Sequence, residues 1–535
     1  MSGKYTVIDL FAGPGGLGEG FSEHRTLDGH RPFNIALSVE NNKAAWRTLR
    51  LRAFLRRFGD EFPPRYYKFL ADGGTEPDWG KLHPAEWQAA CSEVQLQTLG
   101  TPEAAAALQP VLAKLAGERR LGTVVIGGPP CQAYSLVGRA RNRGVPTYDP
   151  AKDKRHFLYS EYILILKKLQ PAAFVMENVK GMLSASVKGQ AIFEQILNDL
   201  RKCGSNGNYV LLPFDTRSKP GTDLHANWKP QDFIVRSERF GVPQSRHRVI
   251  IIGLHHDLAA NLPTRSWSPE CLERTELASV ENVLRSLPHL RSGLSRSTDN
   301  SDAWRVVVDR AMTQVCKVMS NSNEPGADKV HKRACELLTY FRLVGHELPR
   351  KSRHYRNERG NCPQALHDWL VDPHLKGLAN HESRSHMPRD LARYFFASVH
   401  AEIHGRSPNA SAFPAELAPN HRNWSTGKFA DRFRAQPWSS PSSTVTSHIA
   451  KDGHYYIHPD PLQCRSLTVR EAARLQTFPD NYMFAGNRTE QYVQVGNAVP
   501  PFLARQVAAF VHSLLSESAF TSNGQTKPIE AVAAE

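Results

Sequence analysis

Cysteine is scarce: eight in 535 residues, at positions 91, 131, 203, 271, 316, 335, 362 and 464. No two form a C-x-x-C pair and no Cys/His group has zinc-finger spacing, which excludes a disulfide scaffold and leaves no metal site to expect. His331 and Cys335 stand four apart, but two ligands do not make a site. Long hydrophobic runs are missing too. None reaches about 18 apolar residues, so no transmembrane helix and no membrane partner are expected. The opening MSGKYTVIDLFAG has no basic segment followed by an apolar stretch and a cleavage site, so no signal peptide is read. No internal repeat is present. The thiol content fits a reducing, cytoplasmic compartment. Acidic residues are outnumbered, 52 against 67 Lys+Arg, for a formal charge of +15. Such an excess suits an acidic partner, nucleic acid first among them.

Short β-branched runs alternate with helical patterns over the first 255 residues. Tyr5–Phe11, Asn34–Glu40, Thr123–Gly127, Ala173–Val179 and Val249–Leu254 read as buried strands, with Tyr66–Ala71 as a further strand candidate. Lys43–Phe58, Phe157–Leu169 and Gln190–Lys202 carry helix-period apolar positions, and Pro102–Arg120 reads as a helical insertion. This alternation predicts an α/β fold, a doubly wound and mostly parallel sheet covered by helices on both faces. From Asp257 to Ser440 the rhythm breaks into short helices rich in Pro, His and Arg. Within that stretch Lys329–Arg359 holds nine basic and three acidic residues, a local concentration of the kind a nucleic-acid contact needs. Regular structure resumes at Cys464, and Val499–Glu517 reads as an amphipathic helix opened by Pro500–Pro501. The expected organisation is therefore 1–256, 257–440, 441–517 and a small polar tail, 518–535, expected to be disordered.

Two loops carry chemistry. Asp9-Leu10-Phe11-Ala12-Gly13-Pro14-Gly15-Gly16-Leu17-Gly18 follows a strand and opens a helix. Its glycines permit a tight turn and close approach to a ligand, and Glu40, ending the second strand, can accept hydrogen bonds from ribose hydroxyls. So far the residues indicate an adenosine cofactor, with a nicotinamide nucleotide still open. The second loop is Gly127-Gly128-Pro129-Pro130-Cys131-Gln132, at the carboxyl end of a strand, where open α/β sheets bind ligands. Two prolines fix the loop ahead of Cys131. A thiol is only a few per cent ionised at pH 7, so a nucleophilic role there requires a nearby base or positive group.

The segments FAGPGG, GGPPCQ, MENV, QSRHR, RSLTVREAARLQTFPD and QVGNAVPP occur in this order. Together they resemble the motif set of DNA (cytosine-5) methyltransferases, matching over Thr6–Leu254 and Thr444–Leu514. The resemblance implies a Rossmann-like, S-adenosyl-L-methionine-dependent fold with a second, irregular target-recognition domain at 257–440. It implies methyl transfer to a flipped-out cytosine in double-stranded DNA, with Cys131 adding to C6 and Glu177 serving N3. A carboxyl in that role must hold a proton. Arg248 is implied to contact the cytosine ring, and Arg246 to serve as a phosphate or structural partner beside it. For the cofactor, Phe11 would stack on adenine, Gly13, Gly15 and Gly16 would approach the methionine part, and Glu40 would bind the ribose. Asp72 resembles the acidic residue that meets the adenine amino group. Pro129, Asn497 and Ala498 would complete the pocket. Gly73–Gly122 and Pro213–Asp232 look like insertions.

The implied protein is a monomer of the bacterial cytoplasm or nucleoid. It is either paired with a cognate restriction endonuclease as a separate protein or solitary. A transfer-RNA cytosine-5 methyltransferase of the same fold and a catalytically silent DNA-binding protein are the alternatives. The long middle region favours DNA, and the intact Cys131, Glu177 and Arg248 set disfavours silence.

Overall fold

The structure, a computed structural model, describes residues 5–118, 121–130, 158–184, 186–187, 190–204, 209–215, 228–262, 275–345, 347–419, 424 and 432–522. One eight-stranded sheet organises the first half of the chain. Its strands are β1 (Tyr5–Leu10), β2 (Phe33–Glu40), β3 (Val94–Leu96), β4 (Thr123–Gly127), β5 (Ala173–Val179), β6 (Val210–Pro213), β7 (Ile234–Arg236) and β8 (His247–Leu254). The spatial order is β3-β2-β1-β4-β5-β8-β6, with β7 also pairing β8. Strands β3 to β5 along this path are parallel, and β8 runs antiparallel to β5, β6 and β7.

Two consequences follow from this order. The chain steps outward through β2 and β3, then returns to place β4 beside β1, so the crevice outside the carboxyl ends of β1 and β4 is the topological switch point. Leu10 is in register with Gly127, which sets the two glycine-bearing loops side by side. The reversed β8 brings its first residues to the edge where β5 ends: Arg248 pairs Val179 and Ile250 pairs Glu177. Side chains two apart on a strand share a face, so Arg248 and Glu177 are diagonal neighbours.

The strands are apolar on both faces, as a sheet covered by helices on both sides demands. On one face Val7, Val124, Ile126, Val175 and Ile252 pack with Leu503, Val507, Phe510 and Leu514. On the other, Ile8, Leu37, Val125, Phe174 and Ile251 meet Leu108, Leu112, Tyr162, Leu166 and Ile196. The covering helices include α1 (Gly16–Ser22), α2 (Lys43–Leu55), α4 (Pro102–Glu118), α5 (Leu158–Leu169) and α6 (Ile192–Arg201), while α3 (Pro64–Asp72) packs in a separate cluster with α2. Asn42 caps α2 by accepting from the Ala44 and Ala45 amides.

Two expectations change. Tyr66–Ala71 is not a strand; it lies within α3. Tyr66, Phe69 and Leu70 are the buried positions, a spacing of three and four that suits a helix, and Pro64 opens it. The third strand is instead Val94–Leu96, too short to show a period. The stretch 73–122 is therefore part of the sheet architecture, because it supplies β3 and the crossover helix α4, whose Leu108 and Leu112 are core.

The middle region has a core of its own. Helices α7 (Ser301–Ser320), α8 (Ala327–Val344) and α9 (Pro388–His404) bury Trp304, Val308, Phe341, Tyr394 and Phe395 with Phe433 and Ile457. Its flanks are shared: Val280–Leu287 and Leu366–Ala379 pack with α2, α3 and residues 445–502 in one cluster. The chain returns through α10 (Val469–Leu475), α11 (Arg488–Asn497) and α12 (Pro501–Ser522). Helix α12 runs five residues past the expected Glu517, and the rest of the tail, 523–535, lies outside the described residues. By length and composition Arg488–Ser518 is apolar enough to cross a membrane, yet 72% of its apolar window is buried inside the fold. Its apolarity is that of a core element.

Candidate active site

The site is built at the switch point. After β1 the backbone turns through Phe11 (φ 56°), Gly13 (φ 57°) and Gly15 (φ 101°) into α1. A phenylalanine in the left-handed region costs roughly 1–2 kcal/mol, and such strain collects at functional sites. Glu40 holds the turn. Its Oε2 accepts the Gly13 amide at 2.8 Å and its Oε1 the Asn42 amide at 2.7 Å. Burial pushes the Glu40 carboxyl upward, against the pull of those amides. A Cβ at Gly13 would meet nothing within 4 Å, so this part of the turn borders open space.

Gly16 is fixed by close approach. A Cβ there would stand 2.2 Å from the Val499 carbonyl oxygen. The start of α12 thus packs directly on the start of α1 and brings exposed Asn497 and buried Ala498 to the rim of the turn. The Tyr482 hydroxyl donates to the Pro14 carbonyl at 2.5 Å, tying the return segment to the same loop. Under the turn lies Asp9, 1% exposed, with neither carboxyl oxygen in a well-formed hydrogen bond. Burial pushes its carboxyl up to about 8. Asp9 was not singled out by the sequence reading; a carboxylate inside the apolar run TVIDLF was the signal available.

Beside the turn, the second loop is held by the strand that follows it. Asn178 donates from Nδ2 to the Pro129 carbonyl at 3.1 Å, and its Oδ1 accepts the Val179 amide at 2.8 Å. Glu177 faces Gly128, where a Cβ would lie 3.0 Å from its Oε2. Arg248 Nε stands 3.1 Å from Glu177 Oε1, and both side chains are about one-seventh exposed, 14% and 13%. Burial lowers the Arg248 guanidinium, and Glu177 opposes that shift. Cys131 lies outside the described residues, two positions beyond the clamped Pro129.

Arg246 is placed differently. It is 2% exposed. Its guanidinium donates to the Val445 carbonyl at 2.7 Å and to the Gly496 carbonyl at 3.4 Å. Burial and neighbouring Arg248 pull its pKa well down. This geometry supports the structural side of its expected role, a brace between the QSRHR loop and the return segment, and leaves it no open path to a phosphate. Gln244 stitches the same junction: it accepts the Val445 amide at 2.8 Å and donates to the Leu475 carbonyl at 3.1 Å. Asp72 is not brought to the crevice. It ends α3, its side chain is 57% exposed, and it pairs with Lys68 at 2.8 Å. The residue that follows β3 is Gln97, whose amide donates to the Glu40 carbonyl at 3.0 Å. Sequence reasoning missed it because β3 was hidden.

The arrangement sets a glycine turn that borders open space beside a carboxylate–guanidinium pair, with the Gly128–Pro129 loop between. Comparison with known proteins agrees. The family model described as C-5 cytosine-specific DNA methylase matches residues 119–512. A type II methyltransferase of Bacillus paralicheniformis is 31% identical over 95% of this chain and 99% of its own length. The DNA (cytosine-5-)-methyltransferase M.ApeKI of Aeropyrum pernix is 28% identical over 96% of this chain and 99% of its own. A solved structure described as a DNA modification methyltransferase encoded within an E. coli prophage covers 96% of this chain and all of its own, at 17% identity and a TM-score of 0.52, which supports the fold. The chain belongs to the C-5 cytosine-specific DNA methylases.

Proposed function

We propose that this DNA (cytosine-5) methyltransferase methylates C5 of a cytosine swung out of a specific duplex sequence, through a transient bond between Cys131 and C6. C5 of cytosine is a poor nucleophile. Addition of a thiolate at C6 turns the ring into an enamine whose C5 can attack an electrophilic carbon. The observation that carries this reading is the Glu177–Arg248 pair, held at 3.1 Å by the β5–β8 register beside Gly128. A carboxyl there can meet N3 as charge builds on the ring, and the guanidinium can meet O2 and favour the thiolate. Asn178, by clamping Pro129, sets where the loop enters the site.

The glycine turn fits S-adenosyl-L-methionine: Gly13 borders open space, Glu40 offers buried carboxylate oxygens, and Phe11 stands at its mouth. The methionine part would lie along Gly13, Gly15 and Gly16, with Pro129, Asn497 and Ala498 around it. When bound, it supplies the electrophilic methyl group. Gln97, not Asp72, occupies the end of β3 and is the better candidate for the adenine edge.

A base inside a duplex cannot be reached, so the target is extruded at a cost of roughly a few kcal/mol. The region 257–440 would hold the DNA and read base edges. Exposed Lys332, Lys351, Arg356 and Arg359 in Lys329–Arg359 are its phosphate-binding candidates. The relatives' type II naming favours an enzyme of a restriction–modification pair over a solitary one.

The test is covalent trapping. Duplexes with 5-fluorocytosine at the target, located first by bisulfite sequencing of DNA from an expressing host, should stay attached to the protein through denaturing electrophoresis when the methyl donor is present. Cys131→Ala should bind the donor, form no adduct and transfer no methyl groups. Absence of any adduct at a confirmed target would refute the mechanism.

A further inference from the structure

We propose that Cys316 and Cys335 form a reversible disulfide across the α7–α8 hairpin, with Cys335 as the attacking thiol and His331 as its base. The helix register brings them together. Arg342 on α8 grips Asp309 on α7 with two bonds, 2.6 and 2.9 Å, and also reaches the Thr313 hydroxyl at 3.0 Å. In antiparallel helices of equal rise, two turns forward on one strand of the hairpin lie opposite two turns back on the other. Seven residues on from Asp309 is Cys316, and seven residues back from Arg342 is Cys335. Both belong to the same hydrophobic cluster, Cys316 within it and Cys335 packed against its edge. Cys335 is also among the groups, after burial, that push the Cys316 thiol upward, as a close neighbour would.

The two thiols differ in the way an attacking and a resolving pair require. Cys335 is half-buried and lines a surface groove with His331, Lys332 and Tyr340. Its Sγ is 3.4 Å from His331 Nε2, so the imidazole can take the thiol proton. Cys316 is 8% exposed, and burial pushes its thiol up to about 12. It therefore stays protonated and out of reach of an oxidant until Cys335 has reacted.

The oxidant is a hydroperoxide. The Cys335 thiolate attacks one peroxide oxygen; an S–O bond forms, the O–O bond breaks, and the departing hydroxide takes the proton held on His331 and leaves as water. The product is a sulfenic acid. Cys316 then attacks the Cys335 sulfur. The S–S bond forms, the S–O bond breaks, and the Cys316 proton leaves with that oxygen as a second water. Two electrons pass from the sulfurs to the peroxide, and a small thiol or dithiol reverses the bond by exchange.

The test uses the full chain, treated with hydrogen peroxide, alkylated and mapped by non-reducing peptide mass spectrometry. Methyl transfer is not the readout, because Cys131 is itself a thiol. The expected result is one crosslinked peptide pair joining Cys316 to Cys335, lost on treatment with dithiothreitol. Cys335→Ser should abolish it. Cys316→Ser should leave Cys335 as a sulfenic acid that dimedone captures. His331→Gln should slow alkylation of Cys335 several-fold near neutral pH, with half-exposed Cys91 as the unchanged reference. Oxidation of Cys335 with Cys316 still free in the parent protein, or its pairing with a different cysteine, would overturn the proposal.

Discussion

Two buried carboxyls, Asp9 under the glycine turn and Glu471 in the return segment, show how differently two regions of this protein are held. The sheet is apolar on both faces, and Asp9 sits in it 1% exposed without a well-formed hydrogen bond. Burial is the largest influence on it, opposed by Arg56, and its carboxyl is pushed up to about 8. Glu471 is equally buried, but Arg465 meets both its oxygens at 2.7 and 2.6 Å and the Thr468 amide adds a third bond at 2.7 Å. Its carboxyl is driven well below the usual range in spite of burial, with Arg465 the main opposing influence. The same pattern repeats nearby. Arg474 grips Asp480 at 2.8 and 2.7 Å, and Arg470 donates to the carbonyls of Ala379, Pro479 and Tyr482.

The difference has a physical meaning. Hydrophobic burial is non-directional, and it suffices where a sheet's register already fixes geometry. Among the described residues, the seam between the middle region and the return segment has only isolated backbone bridges such as Ala435–Ile457. There, guanidiniums bonded to named oxygens set orientation. Arg465, Arg470 and Arg474 are all carried inward, buried among the oxygens they bind.

Four measurements would break or sharpen this contrast. The largest effect is expected at the seam. Glu471→Ala leaves Arg465 charged, buried and unpaired, and should cost about 3–5 kcal/mol in denaturant unfolding. Because the carboxyl is depressed in the folded state, its contribution is present above the unfolded value, 4.5, and is lost as pH falls below it. The parent's excess stability over the variant should therefore shrink in acid. A uniform difference from pH 7 to pH 3 would count against the ion pair. Next is Gly16→Ala. Its methyl would press on the Val499 carbonyl, at a cost of about 1–3 kcal/mol, and weaken donor binding by displacing Asn497 and Ala498; equilibrium dialysis with the donor checks the second part.

Asp9→Asn should act in the opposite sense, stabilising the protein near pH 8. The folded carboxyl holds its proton up to about 8, against 3.8 for the ordinary group, so the parent alone loses stability as pH rises through that interval. A gain that is the same at pH 4 and pH 8 would remove burial as the cause. The smallest effect belongs to Ile252→Val in the middle of β8, about 0.5–1.5 kcal/mol, with methyl transfer unchanged at a temperature where the protein stays folded. A selective loss of activity there would show that core packing, beyond the sheet's register, also sets the geometry of the site.

Local sequence determined much of this protein. Apolar runs such as TVVIG and AFVMENV favour strands covered on both faces, so five of the sheet's strands were legible with small shifts at their ends, and so was the glycine turn between a strand and a helix. Glu40 was legible because it ends such a strand, and Glu177 because it lies two residues from the end of one. What only the tertiary structure decided was which distant residues meet. Three residues at 94–96 became a sheet edge because neighbours and not periodicity select so short an element, whereas Tyr66–Ala71 became helix in keeping with the three-and-four spacing of its buried positions. Arg246 and Arg248 are two residues apart in one strand-like segment; yet the first is spent on carbonyls from positions 445 and 496, and the second turns to Glu177. A side chain's charge is written in the sequence, but its role depends on the partner that long-range packing delivers. No local pattern carries that information.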